Sequence, residues 1–304
     1  MRCAKCGATA VIGMRQHRLN LCAEHFVAWV PDMVARTIDK YAMFAPNERI
    51  LVAVSGGKDS LALWDILIRQ GYETEGVYIN LGIDHEGYSD ASEDKVRAFA
   101  EEHGSVPFRV VNVGEVYGKT VPDLAHTRRG KRVCSVCGLV KRHIMNRVAS
   151  EGGYAAIATG HNLDDEAATL LGNTLHWQSA YLLRQAPVLP ETHPRLARKV
   201  KPLCHLYERE TAAYALLRGI DYVEEECPYA VKAKSIVYKG LLNQLEHRSP
   251  GTKLQFYLEY LHAREDGLFR QEEPAPIENT CPQCGQPTMA TGLCAFCRLW
   301  EKTP

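Results

Sequence analysis

One stretch decides the fold of this chain: Arg49-Ile50-Leu51-Val52-Ala53-Val54-Ser55-Gly56-Gly57-Lys58-Asp59-Ser60. Its β-branched apolar half predicts a buried parallel strand, and the apolar positions of residues 61–68 predict a helix directly after it. Two glycines at the junction let the backbone approach an anion, and the helix N-terminus adds partial positive charge. The junction is therefore predicted to cradle phosphates.

The junction reads S-G-G-x-D-S and differs from a Walker loop, because Gly57 directly follows Gly56. It resembles the PP-loop of the ATP pyrophosphatase superfamily, whose members split ATP between the α and β phosphates. An ordinary strand-to-helix turn, the alternative, needs only the two glycines. Asp59 beside phosphates implies a Mg²⁺-ATP substrate, since a metal must bridge the charges. The resemblance implies ATP contacts from Ser55, Gly56, Gly57, Lys58, Asp59 and Ser60 and, later in the chain, from Gly160 and Asp165.

Composition sets the class of protein. The chain has 304 residues, enough for one large α/β core with smaller appendages. Lys plus Arg and Asp plus Glu both total 36, so nucleic-acid binding would depend on local basic patches. No apolar run reaches the length of a membrane span, and no signal-peptide core follows Met1. We therefore expect a cytoplasmic protein, in which eleven cysteines serve metal binding or catalysis rather than disulfides.

Further strand and helix patterns follow the PP-loop. Apolar runs near residues 75–81, 108–113 and 154–160 alternate with helical patterns near 89–103 and 163–175. This alternation predicts a doubly wound parallel sheet with a ligand crevice at the carboxyl ends of its strands. Later helices are predicted near residues 208–218, 235–248 and 253–263.

Both ends of the chain carry paired metal ligands. The N-terminal set joins two pairs across fifteen residues, and the C-terminal set joins two C-x-x-C pairs across nine. Four ligands at such spacing predict a closed, structural zinc site at each end. The first set is Cys3, Cys6, Cys22 and His25; the second is Cys281, Cys284, Cys294 and Cys297.

A third C-x-x-C, Cys134 and Cys137, stands among basic residues where a helix begins. A cationic environment and a helix N-terminus lower thiol pKa values, so these thiols are expected to be reactive or metal-bound. Half of a third zinc site is the alternative, although no second pair lies nearby. Cys227, between acidic residues and a proline, is an unusual place for a core thiol, whereas Cys204 is predicted to pack in the core.

Two charged segments are candidates for substrate contact. After the strand near 154–160, Gly160 leads to Asp164 and Asp165 at a helix start, at the same sheet edge as the PP-loop. Helix capping would explain Asp164. Asp165 is the candidate Mg²⁺ ligand or general base. The basic run 195–201 is either a solvated loop or a set of phosphate contacts.

These patterns predict four segments. Residues 1–26 form an N-terminal zinc finger, and 27–46 a linker helix whose apolar positions recur with a period near 3.6. Residues 47–270 form the PP-loop catalytic domain. Residues 271–304 form a C-terminal zinc ribbon after a polar linker.

Taken together, the PP-loop, the central cysteines and the two terminal zinc sets resemble the tRNA 2-thiouridine synthetases of the PP-loop superfamily over essentially the whole chain. Residues 52–65 and 158–167 carry the likeness. The resemblance implies a [4Fe-4S] cluster on Cys134, Cys137 and Cys227, with one iron open to sulfide. It implies thiolation of 5-methyluridine in the tRNA T-loop, with Lys141 and Asp165 beside the nucleotide. It also implies a homodimer and a ubiquitin-like sulfur-carrier protein with a C-terminal thiocarboxylate.

Three alternatives stay open on the sequence alone. A wobble-uridine or cytidine tRNA thiolase would share these motifs. A persulfide on Cys134 or Cys137, resolved by Cys227, would need no cluster. A noncatalytic zinc-ribbon adaptor for RNA would not need the S-G-G-x-D-S loop.

Overall fold

The computed structural model describes residues 1–83, 87–126, 133–230, 234–268, 277 and 279–301. The basic residues 128–132 and the predicted polar linker 271–276 lie outside the described residues. The strands are β1 (Ile12–Met14), β2 (Leu19–Leu21), β3 (Ile50–Val54), β4 (Thr74–Asn80), β5 (Phe108–Asn112), β6 (Ala156–Thr159), β7 (Val188–Leu189), β8 (Arg198–Val200), β9 (Asn279–Thr280) and β10 (Pro287–Thr288).

The helices surround the central sheet and join it to the terminal modules. They are α1 (Ala23–Lys40), α2 (Lys58–Arg69), α3 (Tyr88–Glu102), α4 (Val113–Tyr117), α5 (Val121–His126), α6 (Val133–Gly152), α7 (Leu163–Leu175), α8 (Ser179–Arg184), α9 (Glu208–Arg218), α10 (Lys234–Arg248), α11 (Thr252–Glu265) and α12 (Cys297–Glu301). No helix in the described ranges is long and apolar enough to cross a membrane.

The central sheet has the strand order β5-β4-β3-β6-β8-β7. Its strands are parallel except β7, which pairs antiparallel with β8 at the edge. The predicted doubly wound α/β fold is therefore confirmed, with one antiparallel edge strand that the sequence did not predict. The PP-loop strand β3 lies between β4 and β6, so the chain crosses to opposite sides of it. Such a switch point opens a crevice at the strand carboxyl ends.

Alternation along β3 gives the sheet two cores. Val52 and Val54 belong to a cluster with α1, α2, α9 and α11, whereas Leu51 belongs to a cluster with α6 and the C-terminal ribbon. Strand residues alternate between faces, and both faces of this sheet are covered by helices, which is why β3 is apolar throughout.

The terminal modules pack onto these two cores. Buried Ile12 and Leu21 of the N-terminal module share the first cluster, and Phe296 and Leu299 of the ribbon share the second. The predicted linker helix begins earlier than expected, at Ala23 in α1, and its buried face packs into the first core. The N-terminal module and α1 are thus part of the main packing unit.

Candidate active site

The PP-loop is held open by hydrogen bonds among its own residues. Ser60 Oγ accepts a hydrogen bond from Ser55 N at 3.1 Å and donates one to Gly57 O at 2.9 Å. Gly56 has φ +78°, and a Cβ there would lie 2.6 Å from Ser92 O, so only glycine fits. The loop thereby presents backbone N–H groups at the start of α2, as phosphate binding requires.

Gly160 lets the end of β6 approach the PP-loop. A Cβ at Gly160 would lie 2.8 Å from Ser60 N and 2.9 Å from the carbonyl carbon of Asp59. Two residues later, Asn162 caps α7 and donates a hydrogen bond from Nδ2 to Asp59 Oδ1 at 3.2 Å. The two predicted segments therefore meet at one sheet edge, as expected from the parallel topology.

Asp165, predicted from the sequence as a Mg²⁺ ligand or general base, has a structural role at the start of α7. Its carboxylate accepts a hydrogen bond from Asn162 N at 3.2 Å, and its backbone N–H donates to Asn162 Oδ1 at 3.1 Å, which forms a capping box. Lys239 Nζ of α10 lies 2.7 Å from Asp165 Oδ1. Asp165 thus faces the loop region with one oxygen paired to a cation.

Two lysines and three carboxylates form a continuous ion network beside the loop. Lys58 Nζ lies 3.1 Å from Asp59 Oδ2 and 2.9 Å from Glu208 Oε1, and Lys239 Nζ bridges Glu208 and Asp165. Burial raises the pKa of Asp59, a shift that Lys58 partly opposes. Burial also disfavours the Glu208 carboxylate, but hydrogen bonds and charges from both lysines lower its pKa to about 2. The network therefore holds two lysine side chains beside the loop, where the phosphates of a bound nucleotide would require positive charge.

Sequence reasoning missed Glu208 and Lys239. Neither belongs to a local motif: Glu208 begins α9, and Lys239 lies within α10, far along the chain from the loop. Thr211 was missed for the same reason, although its hydroxyl donates a hydrogen bond to Asp59. Only the packing of α9 against α2, and of α10 against α7, brings these residues to the site.

Asp164 is buried and structural, but it is not the helix cap that the sequence suggested. Asn162 is the N-cap, because its side chain accepts from the third helical N–H. Asp164 instead pairs with Lys253 Nζ at 2.5 Å and accepts a hydrogen bond from Glu208 N at 2.9 Å. It anchors α9 and α11 to α7.

A cavity of about 100 Å³ opens beside the PP-loop, between the sheet and helices α3 and α6. Ser55, Tyr88 and Lys141 line it, together with Val54 and Met145. Its walls are mostly apolar. Lys141 therefore lies in the same cavity as Ser55 of the phosphate cradle, and its place beside a bound nucleotide stays a prediction.

The three central cysteines lie near this cavity. Cys134 and Cys137 begin α6, Cys227 comes from the segment after α9, and the charges of Cys227 and Cys134 both act on the Cys137 thiol. Tyr88 lines the cavity, and burial followed by the nearby charges of Cys227 and Cys137 raises its pKa. The fold thus brings Cys227 to the C-x-x-C from ninety residues away.

The expected lowering of the thiol pKa is not found at Cys137. Burial raises its pKa, and the nearby Lys141 and Arg142 only partly offset that effect. Desolvation of the thiolate therefore outweighs the cationic environment on which the prediction depended. A metal cluster bound through the sulfur would stabilise the thiolate without such a shift in the free thiol.

Both terminal ligand sets are assembled for a single ion. Within each set, one ligand atom per residue lies within 4.8 Å of the others: Cys3, Cys6, Cys22 and His25, and Cys281, Cys284, Cys294 and Cys297. These donor sets fit tetrahedral zinc. Among the described residues no other group of three or more such ligands is so tight, so Cys134, Cys137 and Cys227 do not form a single-ion site of this kind.

Most basic side chains of the run 195–201 bind other groups of the same chain. Arg195 donates to Gly285 O at 2.5 Å, Arg198 donates to Met43 O at 3.0 Å, and Lys201 pairs with buried Glu166 at 2.8 Å. Part of the run is strand β8, so the loop interpretation was wrong there. Cys204 is fully buried in the first core, where packing was predicted.

This glycine loop, at the switch point of a doubly wound sheet and facing an acidic helix start, defines a PP-loop protein. A family model for the PP-loop domain matches residues 31–233, and one for the N-terminal LIM domain of the 2-thiouridine synthetase TtuA matches residues 2–27. The tRNA-5-methyluridine(54) 2-sulfurtransferase of Thermus thermophilus is 50% identical over 99% of this chain and 91% of its own. That of Pyrococcus horikoshii is 43% identical over 99% and 94%.

This chain belongs to the tRNA-5-methyluridine 2-sulfurtransferase family. The predicted resemblance to tRNA 2-thiouridine synthetases, and the prediction of an enzyme, are thereby confirmed. Among solved structures, the U34-tRNA thiolase NcsA from Methanococcus maripaludis with its [4Fe-4S] cluster matches with a TM-score of 0.77 and 27% identity. The match covers 87% of this chain and 88% of NcsA.

Proposed function

We propose that this enzyme converts a tRNA uridine, 5-methyluridine of the T-loop, to its 2-thio form, with ATP cleaved to AMP and pyrophosphate. The nucleoside, 5-methyluridine, is the one in the names of the relatives, and its place in the T-loop is what the family resemblance implies. The observation that carries the proposal is the cavity lined by Ser55, Tyr88 and Lys141. It lies beside the phosphate cradle at Ser55, and burial followed by the charges of nearby Cys227 and Cys137 raises the pKa of its lining residue Tyr88.

In this proposal the PP-loop holds Mg²⁺-ATP. Backbone N–H groups of Gly56 and Gly57 and the α2 N-terminus bind the phosphates, with Ser55 and Ser60 setting the loop and Gly160 leaving room for it. Lys58 and Asp59 contribute a cation and a metal-bridging carboxylate. Asp165 is the second candidate carboxylate at this edge.

Activation transfers AMP to the base. The uridine C2 oxygen attacks the α phosphorus, a P–O bond forms, and pyrophosphate leaves. Lys141 at the cavity wall would offset charge on the phosphorus oxygens, as a preorganised cation does in a site shielded from water. The base loses its N3 proton as C2–O becomes a single bond, and Asp165 is the candidate acceptor.

Sulfur then replaces oxygen. Sulfide adds to C2, the C2–O bond breaks, and AMP leaves with the original oxygen. This step depends on adenylation, because AMP is a far better leaving group than hydroxide. Cys134, Cys137 and Cys227 would hold a [4Fe-4S] cluster, which supplies a binding position for sulfide beside the base. Three thiolates from two segments of the chain could bind three of the four irons of such a cluster. The proposed source of sulfur is the thiocarboxylate of a ubiquitin-like carrier protein.

The remaining assignments are proposals of the same kind. The terminal sets hold two structural zinc ions, and the segments divide at 1–26, 27–46, 47–270 and 271–304, although the first two share the main core. The enzyme acts in the cytoplasm as a homodimer.

The test is mass spectrometry of tRNA after anaerobic incubation with enzyme, ATP and sulfide. We expect a gain of sulfur for oxygen in one uridine, and AMP in equal amount. Cys227→Ala should lose both the brown colour of the iron–sulfur cluster and the thiolation activity, whereas the matched control Cys204→Ala should keep both. Full thiolation by an iron-free preparation would support a persulfide route instead, and absence of thiolation under all conditions would refute the proposal.

A second candidate is thiolation of wobble uridine, favoured by the NcsA likeness across 87% of the chain. Nuclease mapping of the thiolated nucleoside decides between the two. Sulfur in the T-loop supports the first candidate, and sulfur in the anticodon supports the second.

A further inference from the structure

A second cavity, of about 270 Å³, lies between α6 and the C-terminal ribbon, apart from the nucleotide cavity. Helix α6 separates the two. Lys141 and Met145 face the nucleotide cavity, whereas residues spaced by three or four along the same helix face the second one. The α6 residues on that second face are Leu139, Arg142, His143 and Asn146.

The second cavity is cationic. Arg142 and Lys199 both line it, no carboxylate is among its lining residues, and neither cation forms an ion pair with a carboxylate in the part of the chain that the structure describes. Burial, and then the charge of Arg142, lower the pKa of Lys199. Two like charges held together in a partly buried cavity are stabilised by an anion placed between them.

Polar groups complete the lining. His143 stacks on Phe296 with ring centroids 3.7 Å apart, and its Nε2 is buried without a hydrogen-bond partner in the described structure. The Thr288 hydroxyl accepts from Ala290 N at 3.1 Å, and because its own proton has no acceptor within the described ranges, it can donate to a ligand. Two cations and the Thr288 hydroxyl therefore line one volume, and the stacked rings of His143 and Phe296 form part of its wall.

The cavity wall is firmly braced. Asn146 Nδ2 donates to Gln286 Oε1 at 2.6 Å and to Arg195 O at 2.7 Å, and Asn146 Oδ1 accepts from Ala197 N at 2.9 Å. These bonds join α6, the ribbon and the segment that leads into β8, the strand that carries Lys199. The cations are thus presented by a preorganised frame rather than by a loose loop.

We infer that this cavity binds a phosphodiester of the tRNA backbone, with Arg142 as the forked donor and Lys199 as the point charge. The inference builds on the proposed function. Arginine and lysine are the side chains that bind phosphate in these two ways. The two cavities lie on different faces of α6. A backbone phosphate bound on one face would therefore fix the position of the tRNA relative to Lys141 on the other face. The same chemistry would also suit free inorganic phosphate, which the experiment separates.

The experiment compares Arg142→Gln, Lys199→Met and the double variant with Arg97→Gln, a surface arginine already paired with Glu93 at 2.7 Å. Dissociation constants for tRNA are measured by fluorescence anisotropy between 0.05 and about 0.3 M salt. Loss of one phosphate contact reduces the slope of log affinity against log salt concentration by about 0.9. A slope of this size corresponds to an affinity gain of about eightfold at 0.1 M salt compared with 1 M salt. We expect the double variant to show that loss, equally for tRNAs of different sequence.

Zinc content and ATP binding without tRNA should remain at the wild-type level in each variant. Because Arg142 is exposed on a helix, Arg142→Gln tests the inference even where Lys199→Met unfolds. Unchanged affinity and salt slope in Arg142→Gln would overturn the inference. A second result would also overturn it: inorganic phosphate raises the melting temperature of the wild type but not of the double variant, while the two proteins bind tRNA with the same affinity.

Binding and turnover separate this inference from the proposed function. If wild-type enzyme binds tRNA with the expected salt slope and the variants lose it, the phosphate site stands even when no thiolation occurs. If thiolation occurs and the variants bind tRNA normally, the proposed function stands and the phosphate site does not.

Discussion

Glu208→Gln tests whether the ion network beside the PP-loop stabilises the fold. Lowering the Glu208 pKa from its usual 4.5 to about 2 corresponds to about 3 kcal/mol. The side chain is 33% exposed, so solvent screening reduces this value. We expect Glu208→Gln to lower the free energy of unfolding by about 1–2 kcal/mol, because Lys58 and Lys239 lose their shared carboxylate.

The pH dependence follows from the direction of the pKa shift. A carboxyl group with a lowered pKa in the folded state stabilises the fold above its unfolded pKa, and loses that contribution as pH falls from 4.5 towards about 2. The difference between wild type and Glu208→Gln should therefore stay constant from about pH 8 to pH 5.5.

Urea unfolding with zinc present measures the effect, and Lys239→Met completes a double-mutant cycle. We expect a coupling energy of about 1 kcal/mol. The control is Glu151→Gln, whose carboxylate is 61% exposed in a surface pair with Arg147 and should contribute less than about 0.5 kcal/mol. The reasoning fails if the two glutamine variants are equally stable, or if the Glu208→Gln difference shrinks between pH 8 and 6.

Three further outcomes follow from the site. Cys3→Ser or Cys281→Ser should each remove one equivalent of zinc by atomic absorption and lower the melting temperature, and a fully active, zinc-free variant would contradict structural zinc. Gly160→Ala should weaken ATP binding by calorimetry at least tenfold, because its Cβ would lie 2.8 Å from the α2 backbone; Gly240→Ala, where nothing lies within 4 Å, should bind normally. Ser55→Ala should lose AMP formation in a radiolabel assay but keep the absorbance of the iron–sulfur cluster, and loss of both would show that the loop and cluster are not independent.

Local sequence was sufficient wherever the chemistry depends on short spacing. The strand and glycine turn at 50–57 predicted a loop whose backbone can approach an anion, and in the structure Gly56 has φ +78°, a conformation that favours glycine. Paired cysteines two residues apart predicted the terminal metal sets, which the structure brings together within 4.8 Å. Helix periods predicted α7, α9 and α10 to within about two residues, the usual precision of such patterns.

Patterns that depend on burial were harder to interpret. The basic run 195–201 gave no sign that Lys201 would pair with buried Glu166 while Lys199 would face a cavity, because charge alone does not specify partners. The thiol pKa of Cys137 was mispredicted for a related reason. Its basic neighbours are visible in the sequence, but its desolvation is set by packing.

The sequence by itself determined the glycine loop, the two sets of four potential metal ligands and the alternation of strands and helices around the PP-loop, because each depends on residues a few positions apart. Only the tertiary structure decided which distant side chains meet them. It brings Cys227 to Cys137, Lys239 to Asp165, and Glu208 to Lys58. It also ties the N-terminal module to the site, since Gln16 donates to Glu210 on the helix that begins with Glu208. Such contacts arise from the packing of α6, α9 and α10 on one sheet, which no local spacing encodes.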